Sequence, residues 1–87
     1  MAIVGITKDG YKIAKGSGVA DNSGGGSAAD INVDITFSEL SQVLYVISAY
    51  GDVAVTESSI DGNKVTVTAK SVPAGATATV YVVVVGY

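Results

Sequence analysis

Along much of this chain apolar and polar residues alternate, and where the alternation fails both faces are apolar. The cleanest period of two is Ile31, Val33, Ile35 and Phe37 against Asn32, Asp34, Thr36 and Ser38. Successive side chains of a strand point to opposite faces, so this segment predicts a strand with one core face and one wet face. Val65, Val67 and Ala69 against Thr66, Thr68 and Lys70 predict another. Two runs lack a wet face. Val43-Leu44-Tyr45-Val46-Ile47-Ser48-Ala49-Tyr50 is one, and the terminal Val80-Tyr81-Val82-Val83-Val84-Val85 is the other. In the terminal run Val80, Val82 and Val84 share one face, and Tyr81, Val83 and Val85 the other. A small domain has one interior, so the second apolar face calls for another cover, most simply another chain.

Turn residues divide the rest. Asp9-Gly10 separates a short apolar strand, Ala2 to Ile6, from a second beginning near Lys12 and ending near Val19 and Ala20. Asp21-Asn22-Ser23-Gly24-Gly25-Gly26-Ser27 has the composition of a flexible loop. Ser38 to Gln42 predicts a connection, with at most one helical turn. Leu40, Leu44 and Ile47 also fit helical spacing, but β-branched and aromatic residues dominate after position 43 and favour a strand. Asp61-Gly62 between two strand-like runs predicts a hairpin with a type I′ turn. Val53 and Val55 are in phase with Glu57 while Ile60 is out of phase, which a β-bulge near Ser58-Ser59 would repair. Pro73 cannot donate a ladder bond, so Ser71 to Gly75 is a turn. Six or seven short strands without amphipathic helices predict an all-β chain, an antiparallel β-sandwich. Residues 1–15 would form an amino-terminal arm. Residues 16–87 would form the single domain, with a glycine-rich loop at 21–28.

Composition narrows the chemistry. The 87 residues suffice for one domain, and a domain this small is marginal alone. There is no Cys or His, so disulfides, zinc sites of the usual kind, catalytic triads and thiol nucleophiles are all excluded. Five lysines, no arginine and a net charge of −3 argue against nucleic acid and anionic membranes as partners. No stretch resembles a signal peptide or a membrane helix, which predicts synthesis in a cytoplasm.

Three weaker patterns read as structure. Asp30-Ile31-Asn32-Val33-Asp34 opens like a calcium loop, but Ile35 and Ser41 stand where that loop needs Gly and Glu. Gly16-Ser17-Gly18 and the triple glycine lack the setting of a phosphate-binding loop, and a mobile loop accounts for them better. The carboxylates Asp30, Asp34, Glu39, Asp52, Glu57 and Asp61 fall at turns or on wet faces. The expectation is therefore no catalytic residue, no metal and no cofactor. Tyr11, Tyr45, Tyr50, Tyr81 and Tyr87 suit a protein interface better than a sugar platform.

Ile35-Thr36-Phe37-Ser38-Glu39, the Val43-to-Ala49 strand, Val65-Thr66-Val67 and the closing Val80-to-Tyr87 segment resemble the H-type-lectin-like domains of phage tail fibres. That resemblance covers about two thirds of the chain and rests mostly on strand periodicity. It implies a six-stranded sandwich that trimerises and recognises host glycans, although the Trp common in that family's last strand is missing here. The chain is also similar to the small decoration, or cement, proteins of tailed-phage heads, which are short, cysteine-poor β-proteins. Its length favours this second likeness. It implies a non-enzymatic virion protein, located on the particle, that binds the major capsid protein or another virion protein and forms a homo-oligomer, a trimer first. Leu44, Val46, Tyr81, Val83 and Val85 would meet sister subunits if Val43 and Val80 face the core. Ala2, Ile3, Val4 and Ile6 would dock on the shell or a neighbour. A glycan-binding tip and a cellular surface-layer or filament subunit are the alternatives.

Overall fold

The computed structural model describes residues 2–87. It holds seven strands: β1 (Ala2–Ile6), β2 (Lys12–Asp21), β3 (Ala29–Thr36), β4 (Val43–Gly51), β5 (Val55–Asp61), β6 (Lys64–Val72) and β7 (Thr77–Gly86). They form two antiparallel sheets, a four-stranded one in the order β1-β2-β7-β4 (sheet A) and a three-stranded one in the order β3-β6-β5 (sheet B). The expected all-β antiparallel sandwich is present. Its pairing is nested: β2 bonds β7, β3 bonds β6, and β4 lies against β5 across the two sheets. The chain thus runs out as β2–β4 and returns alongside itself as β5–β7.

The core lies between the sheets. Val80, Val82 and Val84 of β7 face Val65, Val67 and Ala69 of β6, with Val33, Ile35, Phe37, Leu40 and Val43 closing the cluster. Among the described residues no buried side-chain polar atom lacks a hydrogen-bond partner. The inward side of β2 is unusually thin, made of Ala14, Gly16, Gly18 and Ala20. A Cβ on Gly18 would stand 2.6 Å from Val33 Cγ1, and one on Gly16 would stand 2.8 Å from Ile35 Cγ2. These glycines are therefore strand residues whose missing side chains let β3 settle directly on β2.

The bulge expected near Ser58-Ser59 is there, as a register shift between Glu57 and Ser59. The β5–β6 hairpin is there too, but its turn differs. Asp61 pairs with Lys64, and of the two loop residues only Gly62 has positive φ, at 61°. That is the requirement of a type II′ turn, which needs glycine at the first central position, whereas type I′ needs positive φ twice.

One expectation fails for a local reason, and the expected glycine-rich loop between β2 and β3 is present. Within the arm expected over 1–15, residues 2–15 are not separate from the sandwich. The turn at Asp9-Gly10, closed by Thr7 N–H donating to Tyr11 O at 2.7 Å and Gly10 N–H to Thr7 O at 2.9 Å, folds Ala2–Ile6 back onto β2 as the edge strand of sheet A. Met1 lies outside the described residues. The glycine-rich segment is also anchored. Asn22 is 7% exposed, and its side-chain amide donates to Val72 O at 2.9 Å, Ser27 O at 3.0 Å and Pro73 O at 3.2 Å. Its carbonyl accepts from Gly25 N–H and Gly75 N–H. The loop is thus stitched to the β6–β7 turn by one asparagine.

Candidate functional site

The outward faces of the two sheets have opposite chemistry. On sheet B the face is a polar ladder. Thr66 Oγ1 donates to Asp34 at 2.6 Å, Thr68 Oγ1 to Asn32 at 2.8 Å, and Lys70 Nζ to Asp30 at 2.8 Å. Ser71, at φ 54°, gives its N–H to the second Asp30 oxygen at 2.9 Å. The Lys70 ammonium, then the Ser71 N–H, hold the Asp30 carboxyl below its ordinary 3.8. The oxygens that resemble a calcium loop in sequence thus lie along a strand, engaged by β6. Among the described residues no group of acidic side chains is arranged to hold a metal ion.

On sheet A the outward face is apolar and aromatic, and strand register defines it. Ile13, Val85 and Tyr45 make one row across β2, β7 and β4. Lys15, Val83 and Ser48 make the next, and Ser17, Tyr81 and Tyr50 the third. Val19 extends the face beside Thr79, and the Tyr11 and Tyr87 rings meet at its other end with centroids 6.4 Å apart. Tyr50 and Tyr81 tile against each other at 5.3 Å and 25°. The Lys15 ammonium sits over both rings, 5.1 Å from the Tyr81 centroid and 5.7 Å from that of Tyr50. The neighbouring Tyr50 side chain, and then Tyr81, raise the Lys15 pKa above the ordinary 10.5. Lys15 is the one charged residue of β2 in the rows from Ile13 to Val19.

The residues expected to form an interface divide. Tyr81 and Val83 lie on this outward face, half-buried by their neighbours, because Val80, Val82 and Val84 are inside as expected. Val85 shares their face yet is 1% exposed, flanked by Ile13 and Tyr45, so it has little surface left to offer. Leu44 is exposed. Val46 departs from the expectation: it pairs with Val84 and packs on the core. The cause is two register shifts in β4, one between Val43 and Tyr45 and one between Val46 and Ser48. Each inserts an extra residue, so the inward positions are Val43, Val46 and Ala49, spaced by three, with two exposed residues after each. Strict alternation from Val43 would have sent Val46 outward. The same shifts bring out Tyr45, Ile47 and Tyr50, which no period-two reading assigns to one surface.

The edge residues Ile3, Val4 and Ile6 are exposed, and β1 hydrogen-bonds to β2 alone. No family model, no curated protein sequence and no solved structure matches this chain.

Proposed function

We propose that this chain is a non-enzymatic structural protein that assembles with copies of itself through the outward face of sheet A, and that it decorates a virus particle as a cement subunit. The observation that carries the reading is the contrast between the two outward faces. The face of sheet B satisfies its polar groups within itself and suits water. The face of sheet A presents Tyr45, Ile47, Tyr50, Tyr81 and Val83 around a single lysine. Burying one large apolar side chain is worth about 1.5–3 kcal/mol, so several buried together outweigh much of the cost of association. Left bare, such a patch is a liability for a protein at high concentration. A closed homo-oligomer, a trimer first, removes it.

The virion assignment rests on the family resemblance and on wrapping. The nesting of β2 with β7, β3 with β6 and β4 against β5 resembles part of a jelly roll, an eight-stranded architecture of viral capsid and lectin domains. The tiled Tyr50 and Tyr81 favour a second reading, a tail-fibre domain that stacks a host glycan on the rings.

The first test is native mass by light scattering for the wild type and for Val83→Lys. The proposal expects an oligomer that the substitution dissociates, and a wild type monomeric at all accessible concentrations overturns it. Co-sedimentation with tailed-phage capsid shells then tests decoration. Absence from the shell, with glycan affinity that disappears in Tyr50→Ala, would replace decoration with the second reading.

A further inference from the structure

We infer that the free edge of β1 pairs antiparallel with β1 of a second copy, joining two A sheets into one continuous eight-stranded sheet; this rests on the self-assembly reading above and adds a second contact to it. The occupant follows from the chemistry of the edge. An edge strand presents unpaired N–H and C=O groups, and only another extended strand satisfies a row of them. Natural sheets blunt such edges with charge, proline or bulges. All four edges here carry at least one of these devices, and β1 carries the fewest. β3 carries Asp30 and Asp34, β5 carries Glu57, Asp61 and a bulge, and β4 carries two bulges. β1, Ala2-Ile3-Val4-Gly5-Ile6, has one bulge at Val4 and no charged residue at all.

Two further observations select a copy of this chain as the partner. Sheet A has four strands and sheet B three, with β3 lying against β2, so β1 overhangs with nothing opposite it. Ile3, Val4 and Ile6 are accordingly 40%, 58% and 68% exposed. In a two-fold β1–β1 pair, the side chains on the uncovered side meet their counterparts from the other copy across the new ladder. Charge agrees. Each copy carries a net −3, so approach through most of the surface is repulsive, whereas the uncharged β1 is self-complementary.

The test is sedimentation of the full chain as wild type, Val4→Lys and Val4→Glu, separately and mixed. Position 4 is exposed, and unchanged far-ultraviolet circular dichroism checks the fold. Each charged variant alone should raise the dissociation constant of this contact roughly tenfold or more, because like charges then meet across the two-fold, and mixing the two should restore pairing. Charged variants that keep the wild-type mass at every concentration overturn the edge pairing while leaving the sheet A interface standing. Loss of assembly without restoration on mixing also overturns it. A monomeric wild type overturns both readings together.

Discussion

The side-chain amide of Asn22 reaches the backbone carbonyl of Val72, fifty residues further along the chain, at 2.9 Å. One amide therefore binds the glycine-rich loop to the end of β6. The other donations, to Ser27 O and Pro73 O, leave no room for a hydrophobic replacement without orphaning carbonyls.

Asn22→Ala should cost about 2–3 kcal/mol, since buried carbonyls lose their donor. Asn22→Asp should cost at least as much, because it sets a carboxylate oxygen against carbonyl oxygens. Urea denaturation checks both, with a lower midpoint at an unchanged slope.

Gly18→Val should destabilise by about 1–3 kcal/mol or more, because its Cβ alone would meet Val33 Cγ1 at 2.6 Å. Gly24→Ala is the matched control. Its Cβ would find nothing within 4 Å, so the change should stay within about 0.5 kcal/mol. Equal losses at the two positions would contradict the close approach of β2 and β3.

Val46 and Leu44 separate core from surface within one strand. Val46→Ala removes a side chain packed on the core and should cost about 1–2 kcal/mol of folding stability, with little effect on assembly. Leu44→Ser should show the reverse, weakening assembly and sparing the fold. Strict alternation in β4 would put both residues outward, and Val46→Ala would then weaken assembly and spare the fold as Leu44→Ser does, so thermal melts with native mass decide the register directly.

Acid should loosen the β3–β6 edge through Asp30. Its folded pKa lies below the ordinary 3.8, first through the Lys70 ammonium and then the Ser71 N–H. The sign follows from linkage. A depressed carboxyl stabilises the fold above its unfolded pKa, and that contribution fades as pH falls from about 4 through the lower folded value. Asp21 adds in the same direction through the Ser23 side chain and N–H. In Asp30→Asn the acid limb of stability against pH should flatten while the neutral limb drops. An unchanged acid limb would show that the exposed pair contributes nothing, as solvent screening often ensures.

Much of the fold is legible along the chain because strand periodicity is a local property. Val33, Ile35, Val65, Val67, Val80, Val82 and Val84 alternate in sequence and are buried in the structure. The bulge at Ser58 is legible too, since a phase error between Val55 and Ile60 has no other remedy within a strand. β4 is the counterexample. Its residues are apolar at nearly every position, so no polar marker reveals two inserted residues, and only pairing with β7 brings Val46 inside and Tyr50 beside Tyr81. Glycine misleads in the same way. Gly16 and Gly18 have loop composition, yet they serve a strand, because the reason for their size is a β3 side chain on the opposite sheet.

Taken alone, the sequence determined the strand content, the inward face of β7, the sites of most turns and the absence of histidine and cysteine chemistry. Each follows from a residue and its near neighbours. The tertiary structure decided which strands lie side by side, and hence that Lys15, Tyr50 and Tyr81 meet, that Asn22 is a hub and that β1 is an edge. The first two of those facts depend on contacts between residues 31 to 66 positions apart in the chain. No local pattern encodes such distances; they are set by how two sheets bury their apolar faces against each other.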